Sequence, residues 1–123
     1  MNIIIAGSRD FMDYSFVEEH MNEIFSTFKI WNHTENNIIS GCQTGADTLG
    51  EQYAISNGMN IIKKHPNWEK FGKAAGPIRN AEMANIADMC VVFWDGKSKG
   101  SKNMIDTAID KSVFLRVIRT DKK

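Results

Sequence analysis

Asn2-Ile3-Ile4-Ile5-Ala6, ended by Gly7, is a short β-branched run and reads as a buried strand. From Tyr14 to Phe28 the apolar positions Phe16, Val17, Met21, Ile24, Phe25 and Phe28 share one helical face, with Asp13 or Ser15 placed to cap it. Asn37 to Ser40, ended by Gly41, is a second strand. Ala46 to Asn57 is a second helix, with Leu49, Tyr53 and Ala54 inward and Gly58 as its stop. Met59 to Lys64 is a third strand, and a polar loop runs from His65 to about Ala75. Pro77 stands where a first-turn proline belongs, opening a helix through about Ala87. Met89 to Trp94 is the most hydrophobic strand. A turn-rich loop over Asp95 to Gly100, a helix over Met104 to Asp110, a strand over Val113 to Ile118 and a solvated tail from Thr120 to Lys123 complete the chain.

Five strands alternating with four helices predict a mainly parallel sheet with helices on both faces, because crossovers between parallel strands are right-handed. The expected fold is α/β, a single Rossmann-like three-layer sandwich over residues 1–123, with strand order 3-2-1-4-5. A length of 123 residues fits one domain and allows a core that needs no staples. Lys+Arg 15 against Asp+Glu 15 argues against a general nucleic-acid coat or an anionic membrane surface. Two cysteines make no disulfide framework and lack metal-ligand spacing. No apolar run is long enough to span a bilayer, and no signal peptide is visible, so a cytoplasmic location is expected.

In an open parallel sheet, ligands bind beyond the carboxyl ends of the strands. The glycines gather in the loops that follow strands: Gly7-Ser8-Arg9-Asp10-Phe11, Gly41-Cys42-Gln43-Thr44-Gly45-Ala46-Asp47, Gly72-Lys73-Ala74-Ala75-Gly76-Pro77-Ile78-Arg79-Asn80, and Asp95-Gly96-Lys97-Ser98-Lys99-Gly100-Ser101. A glycine-rich turn that opens a helix brings backbone N–H groups to an anion, and the helix dipole favours negative charge there. Arg9, Lys73, Arg79, Lys97 and Lys99 add cations on the same edge. A phosphate-bearing small ligand is the expectation.

Arg9 is a candidate phosphate clamp, or a tie between loops through Asp10 or Asp47. Asp47, in the first turn of the second helix, either complements the dipole or holds a ribose hydroxyl. Arg79, beside Asn80, needs an anion to justify a cation near a helix N-terminus. Trp68, in the longest loop, offers a stacking face. Ser8, Thr44 and Ser101 offer hydroxyls, with Gly100-Ser101 the best phosphate position. Cys42 has no evident base, and Cys42 and Cys90 fall at opposite ends of their strands, which argues against a disulfide. No G-x-G-x-x-G follows the first strand and no Walker A motif occurs, which argues against ordinary dinucleotide sites and P-loop hydrolysis.

These motifs resemble the SLOG superfamily, in particular its small YspA/YpsA-related branch, related to the LOG and DprA/Smf proteins. The resemblance rests on Gly7-Ser8-Arg9 with Phe11, Gly41 with Gly45-Ala46-Asp47, Gly72 to Asn80 with Met83, and Asp95-Gly96, Ser98 and Gly100-Ser101 with Met104-Ile105. It implies a Rossmann-like fold that binds nucleotides or nucleotide-derived molecules at this edge. LOG enzymes cleave the N-glycosidic bond of a nucleoside monophosphate with the glutamate of a P-G-G-x-G-T-x-x-E motif. Met104 stands in that glutamate's place here, and a methionine cannot move a proton. Gly41-Cys42-Gln43 also departs from the branch's Gly-Gly-Ala.

The expected function is binding of an ADP-ribose-like or cyclic nucleotide, as sensor or sequestering protein. The alternatives are a nucleoside-phosphate glycosidase or phosphohydrolase using Asp47 or Asp10, and a protein-interaction module. No cofactor, metal, membrane or nucleic-acid partner is expected. A homodimer or tetramer is.

Overall fold

The computed structural model describes residues 1–30 and 33–121, so the expected tail lies outside the described residues from Lys122 onward. Five strands, β1 (Asn2–Gly7), β2 (Asn37–Ser40), β3 (Asn60–Lys63), β4 (Met89–Trp94) and β5 (Phe114–Arg119), form one sheet in the order β3-β2-β1-β4-β5. Every pairing is parallel, and the order is the one expected.

Period-two alternation sends neighbouring residues of each strand to opposite faces. Ile3, Ile5, Ile38, Val91 and Phe93 pack against Val17, Met21 and Phe25 of α1 (Tyr14–Thr27) and Tyr53 of α2 (Ala46–Ser56). Ile4, Ala6, Ile39, Cys90 and Val92 pack against Met83 and Ala84 of α4 (Ala75–Ile86) and Met104 and Ala108 of α5 (Lys99–Asp110). Burying one such side chain is worth about 1.5–3 kcal/mol, so both faces of β1 and β4 must be apolar. Asp13 caps α1 by accepting from the Phe16 N–H at 3.2 Å. Among the described residues no helix is long and apolar enough to cross a membrane.

Two expected boundaries are corrected. The segment read as a loop from His65 to about Ala75 contains α3 (Trp68–Phe71) and a single 3-10 turn, Gly72–Ala74, and α4 begins at Ala75. Asn67 starts α3 by accepting from the Lys70 N–H at 3.0 Å, and four residues are too few for a periodic signal. The helix read as starting at Met104 starts five residues sooner, at Lys99, inside the segment read as a turn-rich loop to Gly100. Its buried face is Ser101, Met104 and Ala108. The first of these is polar, so the hydrophobic spacing begins late.

Candidate functional site

The order of the strands reverses between β1 and β4, and a crevice opens beyond their carboxyl ends. The crevice holds a cavity of about 520 Å³. Gly7, Arg9 and Asp10 wall it from the loop after β1; Gln43 and Asp47 wall it from the second loop and α2. Trp68 of α3 and Gly76, Pro77, Arg79, Asn80 and Met83 of α4 form another side. Ser98, Lys99, Gly100, Ser101, Asn103 and Met104 close it from α5.

Arg79 is 6% exposed and sits in the second turn of α4. Its guanidinium donates to the Gly41 carbonyl, and its Nε donates to Asn80 Oδ1 at 2.9 Å. The protein thus supplies acceptors of its own for this cation. Gly41 is there because of close approach: a Cβ would lie 2.7 Å from Arg79 Nη1 and 2.8 Å from Asp47 Oδ2. Asn80 Nδ2 donates onward to Asn103 Oδ1 at 2.9 Å, joining α4 to α5.

Asp47 is also buried, and desolvation pushes its carboxyl up to about 6. The Gln43 N–H, which donates to Oδ2 at 3.2 Å, and the Arg79 charge oppose that rise, while the Glu51 charge adds to it. Burial also lowers Arg79 from its ordinary value, and the Asp47 charge resists. Arg9 ties its loop to the second loop through an amide rather than a carboxylate, with Nε donating to Gln43 Oε1 at 2.8 Å.

The start of α5 is built differently. Asp95 Oδ1 accepts the Lys97 and Ser98 N–H groups, each at 2.8 Å, which turns the chain into the helix and holds the carboxyl below its ordinary range. The first helical bond runs from the Lys102 N–H to the Ser98 carbonyl, at 3.1 Å. The N–H groups of Lys99, Gly100 and Ser101 are therefore the helix's orphan donors. The Ser101 hydroxyl is buried on the cavity wall with no hydrogen-bond partner among the described residues.

Several expected site residues stand behind the wall rather than on it. Ser8 is buried; its N–H donates to the Phe93 carbonyl at 3.0 Å and its Oγ accepts from the Asp95 N–H at 3.1 Å. Gly45 caps α2 against the Ser8 and Arg9 carbonyls, and Gly96 packs on the Arg119 guanidinium. Thr44 and Lys73 are exposed away from the cavity. Cys42 is half-buried outside it; its Sγ donates to the Ser40 carbonyl at 3.6 Å and lies 3.7 Å from His65 Nε2, a neighbour that the sequence did not reveal. Asn103 was not singled out from the sequence, and Gln43 and Met83 figured there only as motif residues, not as site residues. Asn103 becomes legible once α5 is known to start at Lys99, since it then lies one turn beyond Gly100. Among the described residues no group of three or more His, Cys, Asp or Glu side chains is arranged to hold a metal ion.

A family model described as "YspA, cpYpsA-related SLOG family" matches residues 1–71. The chain belongs to the YspA, cpYpsA-related SLOG family. The matched part carries Arg9, Asp47 and Trp68; Arg79 and α5 lie beyond it. The chain is 32% identical over 77 residues to the Gene 61 protein of Mycobacterium phage D29, covering 58% of this chain and 62% of that protein. Its fold is similar to part of the X-ray structure of DNA processing protein A (DprA) from Streptococcus pneumoniae, with a TM-score of 0.71 and 18% identity. That match covers 94% of this SLOG chain and 49% of DprA, so this chain spans less than two thirds of either relative.

Proposed function

We propose that this SLOG domain binds a phosphate-bearing, nucleotide-derived ligand of the ADP-ribose-like or cyclic nucleotide class, as a sensor or sequestering protein. The observation that carries the reading is the unpartnered Ser101 hydroxyl beside the orphan N–H groups of α5, all on one cavity. Buried hydroxyls are nearly always hydrogen-bonded, and a helix N-terminus favours an anion. Ala6, Met83 and Met104 give the cavity an apolar floor and Trp68 an aromatic wall, which suit a planar base. Asp47 and Gln43 line the same cavity, which supports contact with a ribose there. A volume of about 520 Å³ lies within the usual range for small-ligand sites.

The test is to mix the protein with AMP, ATP, NAD, ADP-ribose and cyclic nucleotides, filter, and identify both fractions by mass spectrometry. A ligand retained intact supports a sensor or sponge. Asp47 favours a second reading. A buried carboxyl that titrates at about 6 is poised for proton transfer near neutrality. Base and sugar phosphate in the filtrate would identify an N-glycosidase; free phosphate with the nucleoside left intact would identify a phosphohydrolase.

Ser101→Ala is expected to raise the stability of the unliganded protein by about 1 kcal/mol, because it removes an unsatisfied buried hydroxyl. The same variant should weaken ligand binding about tenfold or more, by losing a hydrogen bond to a charged group. Thermal unfolding and titration separate the two effects; a lower melting temperature would mean that the hydroxyl has a partner after all. Arg9→Ala is the cleaner test of the cationic wall. Arg79 is buried and holds the second loop, so its truncation disturbs the fold as well as the cavity. Arg9 bonds Gln43 at the surface, so its loss should change stability by less than about 0.5 kcal/mol. Affinity for a phosphorylated ligand should nevertheless fall about tenfold or more. Unchanged affinity across the panel removes Arg9 from the site.

A further inference from the structure

We propose that Cys42 and His65 form a nucleophile–base pair on the outer side of the 41–45 loop, and that Cys42 is a site of two-electron oxidation by hydroperoxides. The two side chains belong to different loops. Ser40 pairs with Lys63 at the ends of β2 and β3, so the sheet itself carries both loops to the same place. There Sγ, whose thiol donates to the Ser40 carbonyl at 3.6 Å, also lies 3.7 Å from Nε2, close enough for a turn of the S–H bond to hand the proton to that nitrogen. His65 is exposed and Cys42 half-buried, so a molecule the size of hydrogen peroxide can reach the sulfur. Neither residue lines the cavity, and the chemistry does not depend on what the cavity binds.

The surroundings explain why the base is needed. Burial and the Glu51 charge hold the thiol above its ordinary range, so the resting sulfur is protonated. The reaction starts when His65 Nε2 takes that proton. The thiolate sulfur then attacks one peroxide oxygen; the S–O bond forms as the O–O bond breaks. The leaving hydroxide recovers the proton from His65 and departs as water. Sulfur is oxidised to a sulfenic acid and the peroxide is reduced. No second thiol of this chain can capture the product, because Cys90 is fully buried inside β4. The sulfenic acid therefore persists until an external thiol condenses with it and releases water.

The experiment treats the purified full chain with hydrogen peroxide and dimedone, without nucleotide, and maps the adduct by peptide mass spectrometry. The expected result is rapid labelling of Cys42 and none of Cys90. His65→Gln, which keeps a polar side chain but no base, should slow labelling about a hundredfold. Imidazole in the buffer should restore part of the rate to His65→Ala, which a merely structural role for the ring would not allow. Labelling of Cys42 at the rate of an unstructured cysteine peptide, or at an unchanged rate in His65→Gln, overturns the proposal. Circular dichroism confirms that both variants fold, and His65 is exposed enough for that to be expected.

Discussion

Gly45→Ala is expected to lower the stability of the domain by about 3–4 kcal/mol, combining left-handed backbone strain with overpacking. Gly45 has φ 79° and caps α2. A Cβ at this position would strike the carbonyl oxygens of Ser8 and Arg9, which are backbone and cannot step aside. The Ala46 N–H donates to that same Ser8 carbonyl at 3.2 Å, so the first and second loops are bolted together there. Gly58 supplies the control. It has φ 69° but nothing within 4 Å of the point where a Cβ would stand, so Gly58→Ala should cost only the strain, about 1–2 kcal/mol. Urea unfolding measures both variants. Equal midpoints for the two would mean that the loops are not in van der Waals contact.

The second large effect is the pH dependence written into Asp47. Its carboxyl titrates at about 6 in the folded protein against 3.8 ordinarily. Between those values the folded state holds a proton that the unfolded chain has released. Stability therefore falls as pH rises through that window and levels off above about pH 6, by roughly 3 kcal/mol in all. Asp47→Asn is neutral in both states and lacks this slope. The unfolding free energy of the variant, minus that of the parent, should thus grow by roughly 3 kcal/mol between about pH 3 and pH 7. Taking this difference cancels Asp95, whose depressed carboxyl acts in the opposite sense, losing stability as pH falls. A constant difference across the range would show that Asp47 is better solvated than its burial implies.

The sheet was legible in the sequence because each buried strand is dense in β-branched residues: Ile3 to Ile5, Ile38 with Ile39, Val91 with Val92. The longer helices were legible for a different reason, apolar residues recurring on one helical face, as Val17, Met21, Ile24 and Phe25 do in α1. What escaped is short or polar. α3 has four residues, and α5 opens with Lys99-Gly100-Ser101, whose inward residue is a serine. The loops of the candidate site could be found from glycine placement, but not their internal bonding. Nothing in the sequence says that Arg79 reaches the Gly41 carbonyl, or that Arg9 meets Gln43 rather than a carboxylate. Those contacts join residues tens of positions apart, and only the register of β1, β2 and the helix beside them brings them together. The Cys42–His65 pair was hidden in the same way.

β1 lies in the middle of the sheet, and Ile3 pairs with Ile38 on one side and Met89 on the other. The second of these partners is far along the chain, and such non-local pairings are slow to form. The β3-β2-β1 half can assemble first, leaving one rim of β1 bare until β4 zips onto it. That seam is also where the cavity opens. A chain stalled before that seam closes would therefore carry a sticky, unpaired strand and no crevice at all.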